Sequence, residues 1–492
     1  MSHRRIAGMD LQREVARLRA ENAELRSQLK LALAAVEKVA ALEVRVKELE
    51  GQLAQNSENS NWPPSRDKNR KPKRTRSLRE KSDKAAGGQV DHPGRTLQKS
   101  MTVDEIEVHR PTVCEHCTHA LGLDAKVTQT ERRQVVDLPP LKLEVTEHQV
   151  QHLHCPACGK VSKGSFPAAV SKSVQYGPNL RALSVYLNQH HLIPMKRLSE
   201  ILNDWFGSAI SPGSITRWVE QSGTQVKSVV EQIKAALRKS PVLHCDESGL
   251  YIGGKRVWLH VHATSKLTVF EAHAKRGKIG IDALGILPKF AGIAVHDNWS
   301  AYHTYSCDHA LCNAHLLREL VYTHEVDGHL WAEAFKAFLL DLYHQVQTAR
   351  TQEATALTAE QLAKAEASYQ ALIEQALFAT APPPEGWKPS TRGRPKKPKA
   401  RNLAERLDTQ RRSILAFAYN FDVPFDNNLV ERDIRMVKVQ QKISGCFRSW
   451  DGAVAACLLR SYLSSMRKQG HSVFSVLRQL FAGQIVLPAF PH

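Results

Sequence analysis

No stretch of the 492-residue chain runs to ~18 uninterrupted apolar residues, which argues against a membrane-spanning helix. The first twenty residues, MSHRRIAGMDLQREVARLRA, lack the apolar centre of a secretory signal. Cysteine is sparse, nine in all. With no export signal the thiols are expected in a reducing cytoplasm, as free thiols or metal ligands rather than disulfides. No internal repeat is visible. Acid is short as well: Lys+Arg 68 against Asp+Glu 49 leaves a net charge of +19. What is present is length and ordinary composition, 42% hydrophobic and 24% charged. At ~100–200 residues per domain, that is enough for roughly three or four folded units.

The charge is concentrated. Trp62 to Lys84 carries ten Lys/Arg against three acids, and Lys388 to Arg401 carries seven against none, so each contributes +7. Both segments are rich in Pro, Ser or Gly and poor in aliphatics, the composition of flexible linkers. A solvated tether is the plain reading of either one. Two of them on one chain point to nucleic acid, where neutralising phosphates releases counterions.

Residues 10–55 read as a coiled coil. Leu11, Leu18, Leu25, Ala32, Val39, Val46 and Leu53 keep strict seven-residue spacing, with Val15, Asn22, Leu29 and Val36 as the partner seam. Leu at d with β-branched residues or Asn at a favours a parallel dimer, with Asn22 fixing the register. After Val39, Leu42 and Leu49 suggest a register slip. The alternative is a single amphipathic helix packed on its own chain. A basic disordered linker is expected over 56–100, and a small module with strand-like alternation (Leu141 to Thr146) over 101–170. Residues 173–238 read as helical; Arg197 to Val219 fits a helix-turn-helix or a plain connector.

From Pro241 the pattern turns to strands: Val242 to Ile252, Arg256 to Thr264 and Lys266 to His273. A helix follows over Ile279 to Leu287, then a buried strand, Gly292 to His296, and another, His309 to Cys312, leading into a helix through Glu319. Three meandering strands followed by strand–helix alternation describe an α/β sheet of the ribonuclease-H kind. Residues 328–378 are helical, and so is most of the chain from Asn402 onward.

Asp246 and Asp297 each end a short apolar strand. An acid there is costly unless it is hydrogen-bonded or holds a cation, so two of them suggest a divalent-metal site. Each could instead cap the next turn. Glu247 should face the opposite side of the sheet. A third acid, Glu431, follows Asn428 in a capping-box spacing, with Arg432, Arg435 and Lys438 close behind. Asp426 and Asp433 are the fallback acids. Cys114-x2-Cys117 and Cys155-x2-Cys158 form two knuckles, and four thiolates make a closed structural Zn²⁺ site. His116, His119, His152 and His154 could substitute. Arg392-Gly-Arg394-Pro-Lys396-Lys397 matches an AT-hook core, whose arginines would lie in an A·T minor groove; a purely electrostatic tether is the alternative.

His244-Cys-Asp-Glu-Ser, His296-Asp-Asn-Trp-Ser-Ala-Tyr, Cys312-Asn-Ala-His-Leu-Leu-Arg-Glu-Leu and Pro424-Phe-Asp-Asn-Asn-Leu-Val-Glu-Arg-Asp-Ile-Arg resemble the signature blocks of the insertion-sequence-66 family of bacterial DDE transposases. The continuation from Lys438 to Ser449 resembles that family too, and the likeness extends to the zinc-finger region. Ser248 stands where the family pattern has Thr, and Val430 where it has Ala. The resemblance implies a multidomain protein: N-terminal coiled coil, zinc module, ribonuclease-H-like core over 240–445 with a helical insertion at about 320–400, and a helical C-terminus over 446–492. Its DDE residues map onto Asp246, Asp297 and Glu431, holding Mg²⁺ (or Mn²⁺). Two such ions ~3.5–4 Å apart would flank the scissile phosphate. The expected partners are DNA, at element ends and target, and a second copy through the coiled coil. Other element-encoded proteins could join, with no membrane involved; the setting implied is the bacterial cytoplasm, at the nucleoid. A DNA-binding protein without a live site, and a ribonuclease-H-like nuclease without strand transfer, are the alternative functions.

Overall fold

The computed structural model describes residues 2–56, 59, 97–380 and 397–490. They fall into two compact units. One comprises Met1–Arg76, Tyr176–Leu198 and Ser211–His492; the other comprises Ser77–Gln175 and Ser199–Ile210.

The larger unit opens with a 53-residue helix, Ser2–Ala54, rich in the strong helix formers Ala, Leu, Glu, Arg and Lys. Its heptad residues are solvent-exposed in the single chain, from Val15 and Leu18 through Leu25 (58% exposed) to Val46 and Leu53. Near its end the helix meets the core unit, where the Gly51 carbonyl accepts the Tyr322 hydroxyl at 3.0 Å.

The smaller unit has little regular structure. Two three-residue strands, β1 (His152–His154) and β2 (Val161–Lys163), pair antiparallel, and an isolated bridge joins Val113 to Ala120. The strand expected over Leu141 to Thr146 does not form. Leu141 and Val145 are both exposed there, and alternation makes a strand only where a ladder and a buried face exist.

The core of the larger unit is a five-stranded mixed sheet: β3 (Val242–Ile252), β4 (Lys255–Ala263), β5 (Thr268–His273), β6 (Ile293–His296) and β7 (Asp308–Leu311). Its order is β5-β4-β3-β6-β7. The first three strands form an antiparallel meander, and β6 and β7 run parallel to β3. Gly253 and Gly254, both in the left-handed region (φ 55° and 76°), make the β3–β4 turn, as a two-residue hairpin requires. The helix expected over Ile279 to Leu287 is instead broken. Lys278–Ala283 is helical, Gly285 at φ 68° stops it, and a 3₁₀ turn, Leu287–Lys289, follows.

Between β7 and the Asn428–Ser444 helix lies a helical insertion. The helices Asn313–Glu325, Leu330–Thr351, Ala359–Ala379 and Lys399–Thr409 and two short turns share one apolar core, which includes Leu320, Phe335, Tyr369, Leu403 and Phe417. The core extends to Phe425, beyond the expected limit near 400, because the Asn402 to Tyr419 stretch also packs into it.

The C-terminal helix Trp450–Lys468 forms a wall of the sheet. Its Ala453 and Cys457 pack with Leu259, Phe270, Val430 and Ile434. Ser461 Oγ accepts the Phe270 N–H at 2.9 Å and Ser465 Oγ accepts the Thr268 N–H at 3.0 Å. Both hydroxyls donate to the carbonyl four residues back in their own helix. Edge strand β5 thus bonds to helix side chains and is covered rather than left open. The same helix meets Pro212–Gln225 so closely that a Cβ on Gly223 would stand 2.8 Å from the Ala455 backbone. No helix of the described residues is long and apolar enough to cross a membrane.

Candidate active site and zinc module

Parallel pairing sets the level of two acids. Val242 pairs with Ile293 and His244 with Val295, an offset of 51 that also carries residue 246 to residue 297. Asp246 and Asp297 therefore stand at one level on neighbouring strands: Asp297 lies just past the end of β6, but Asp246 does not end its strand as expected, because pairing with β4 carries β3 on to Ile252. His296 pairs with Leu311 on β7, which brings Cys312, first residue beyond that strand, to the same edge. The acids do make local contacts: Asp246 Oδ1 accepts the Glu247 N–H at 2.8 Å, and Asp297 Oδ1 accepts the Trp299 N–H at 3.0 Å.

Glu431 reaches them from the Asn428–Ser444 helix. Val430, Ile434 and Val437 bury that helix against the sheet, and buried Asn427 sets its start. Asn427 Nδ2 donates to the Cys245 carbonyl at 2.9 Å, Oδ1 accepts His244 Nδ1–H at 2.9 Å, and its N–H points at Cys312 Sγ at 3.2 Å. The capping box suggested by the Asn428–Glu431 spacing is not formed. Asp426 Oδ1 instead accepts the Asn428 N–H at 3.0 Å, and Glu431 is left out of the cap. Asp433 accepts Lys468 Nζ at 2.8 Å and the Thr268 hydroxyl at 3.0 Å. Both fallback acids thus have local structural partners.

Burial disfavours the ionisation of all three acids. Burial raises Asp246 well above the usual carboxylate range, and the charges of Glu247, Asp297 and Glu431 add to it. Burial and Glu247 raise Asp297. Burial also raises Glu431, against the opposing pull of Arg318. Glu431 Oε1 is buried without a hydrogen-bond partner. Donor atoms of Asp246, Asp297 and Glu431 do not form a set within 4.8 Å of one another among the described residues; buried carboxylates with an orphaned oxygen are nonetheless donors of the kind a hard divalent cation takes.

Around them, Glu247 is buried and engaged: Tyr302 donates to Oε2 at 2.6 Å, and Arg276 pairs with Oε1 at 2.6 Å. The Arg276 guanidinium lies over Trp299 at 4.3 Å and Trp258 at 4.8 Å. Arg276 and Trp258 lie outside every motif of the sequence; Trp299, Asn427 and His315 fall within the signature blocks but had no role assigned there, and only tertiary folding shows what they touch. His315 follows Cys312 by one helical turn, and burial lowers its ring to about 3. Arg432 and Arg435 are exposed; Arg432 Nε donates to the Asn428 carbonyl. Lys438 is half-buried, with Nζ on the Gly249 carbonyl at 2.7 Å. Lys397 pairs with Glu405 at 2.7 Å. Arg392, Arg394 and Lys396 lie outside the described residues, as does most of the first basic segment.

In the smaller unit the two knuckles repeat one local geometry. The Cys114 N–H bonds to the His119 carbonyl at 2.8 Å and the Thr118 N–H to the Cys114 carbonyl at 2.9 Å. The Cys155 N–H likewise bonds to Lys160 at 2.8 Å, and the Gly159 N–H to Cys155 at 2.9 Å. Thr118 (φ 59°) and Gly159 (φ 70°) turn both loops through the left-handed region. Cys114 is lowered by the backbone N–H groups of His116 and Cys117 and by the Cys117 thiol; Cys155 is lowered by those of Cys158 and Ala157 and by the Cys158 thiol. Such loops favour thiolates, the form that binds zinc. The four sulfurs do not appear among the three-ligand sets drawn within 4.8 Å of one another in the described residues, and neither do His116, His119, His152 and His154.

Three family models match the chain. Transposase IS66 family covers residues 173–455, zinc-finger binding domain of transposase IS66 covers 111–159, and a family of unknown function (DUF6444) covers 9–98. The first spans more than half of the chain, which therefore belongs to the IS66 transposase family. No curated protein matches it.

Proposed function

We propose that the sheet is a ribonuclease-H-like core and that Asp246, Asp297 and Glu431 hold its catalytic Mg²⁺ or Mn²⁺. On this reading the chain cuts DNA at the ends of an insertion element and joins the freed 3′ ends to target DNA. The supporting observation is the shared level of Asp246 and Asp297 on neighbouring strands, with Glu431 left out of the helix cap and near enough for its charge to raise Asp246. Bound divalent ions would supply nucleophile activation and charge neutralisation at the scissile phosphate. The chain's own part is placement. Asn427 ties the strand of Asp246 to the helix of Glu431. Arg432 and Arg435, exposed on that helix, offer phosphate contacts that hold DNA in register.

Zinc at Cys114, Cys117, Cys155 and Cys158 would fix the knuckle unit for DNA binding. The exposed heptads of Ser2–Ala54 would pair two copies as a coiled coil. The basic segments, with Arg392, Arg394 and Lys396 in the second, would follow the DNA backbone, and the setting inferred is the cytoplasmic nucleoid. A DNA-binding protein without catalysis has no use for three carboxylates whose pKa values burial raises. A nuclease without strand transfer shares the site and differs only in its products.

Asp246→Asn, Asp297→Asn and Glu431→Gln should each abolish strand cleavage in Mg²⁺ while DNA binding in gel-shift assays persists. Cleavage retained by any one of the three purified variants would remove that residue from the site.

A further inference from the structure

Two sets of three candidate ligands have their donor atoms within 4.8 Å of one another among the described residues: His296, His303 and His309, and Cys312, His315 and Glu431. The first set is closed by its own hydrogen bonds. His296 Nδ1 accepts the Asn298 N–H at 3.1 Å, so its Nε2–H donates to His309 Nδ1 at 3.0 Å. His309 Nε2–H then donates to the Tyr305 carbonyl at 3.2 Å, and His303 Nε2 bonds to Asn298 Oδ1 at 2.7 Å. Nothing in that chain calls for a further partner.

The second set is open. His315 Nδ1 and Glu431 Oε1 are both buried without hydrogen-bond partners, and they stand 3.8 Å apart. That is too far for a hydrogen bond, yet two donors each ~2.1 Å from one ion can span it. Buried polar atoms left unpaired are costly, so two orphans facing one gap mark a missing group. Both side chains keep partial exposure, 18% for His315 and 29% for Glu431, which leaves an entry path. Cys312 is already occupied, since its Sγ receives the Asn427 N–H at 3.2 Å.

We propose that His315 is a nitrogen ligand to the cation held by Glu431. This rests on the reading of Glu431 as a metal-binding acid and adds a donor to it. The chemical consequence is selectivity. An imidazole beside carboxylates favours Mn²⁺ over Mg²⁺ more than an all-oxygen site does.

The test is Mn²⁺ binding to the zinc-loaded full chain, read from the spin-resonance signal of free Mn²⁺ with Mg²⁺ as competitor. His315→Ala should weaken Mn²⁺ binding about tenfold, with a smaller loss for Mg²⁺. Spin-echo spectra of the Mn²⁺-loaded wild type should show coupling to a ligand nitrogen, a readout that needs no variant to fold. Binding abolished by Glu431→Gln but unaffected by His315→Ala, with no nitrogen coupling, would overturn the His315 assignment and keep the acid. Mn²⁺ binding indifferent to Glu431→Gln would instead refute the underlying reading of Glu431.

Discussion

Asp246 is held in an environment that opposes its own ionisation, and this has a measurable thermodynamic sign. Its folded pKa lies above its unfolded value, as do those of Asp297 and Glu431. Their contribution is therefore least unfavourable below the unfolded carboxylate pKa, about 4. It turns against the fold as pH rises from there through the folded pKa values. Without divalent metal, Asp246→Asn should be more stable than wild type by on the order of 1 kcal/mol or more at neutral pH. That gap should close toward pH 4, and Mg²⁺ should narrow it by stabilising wild type alone. Thermal melts from pH 4 to 8 check this; a gap that does not change with pH or Mg²⁺ would contradict it. The residue scale is also where the sequence was most uneven. Asp246 and Asp297 were legible because an acid after a short apolar run is rare, although only Asp297 ends its strand and β3 runs on past Asp246 to Ile252. Glu431 was ambiguous by spacing, and the structure resolves it by giving the cap to Asp426. Asn427 and the Arg276 pairing were invisible, because their partners lie on elements 182 and 29 residues away.

Elements were legible where a ladder or a buried face enforces the pattern. β3, β4 and β5 fall within two residues of the expected runs, since period-two alternation there meets a real core. Leu141 to Thr146 carries similar alternation with no partner, and stays irregular. The covering of β5 could not be read at all, because serine spacing in a helix says nothing about a strand nearly 200 residues earlier. Ser461→Ala and Ser465→Ala should each cost about 1–2 kcal/mol by leaving the Phe270 or Thr268 N–H unsatisfied. Chemical denaturation reads the loss. Two variants as stable as wild type would mean that water replaces the hydroxyls and that the helix is not the edge's cover. In the zinc unit, Cys155→Ser should lose the one zinc per chain expected from elemental analysis. A purified wild type without stoichiometric zinc would refute the module.

At the scale of the whole molecule, the 53-residue helix carries a run of exposed heptad residues. If these heptads pair two copies as proposed, Leu18→Lys with Leu25→Lys should leave a monomer in light scattering without changing zinc content, since both leucines are exposed in the single chain. An unchanged mass would assign assembly to another surface. The family membership fixes the broad class, while the proposed chemistry rests on Asp246, Asp297 and Glu431. The direct measurement is a plasmid assay in which purified protein and Mg²⁺ act on a donor carrying the element's own ends. Wild type should release 3′-hydroxyl ends and join them to target DNA, and Asp297→Asn should bind the same ends and yield neither product. Joined product from Asp297→Asn, or cleavage by wild type that proceeds equally well in chelator, would contradict the assignment.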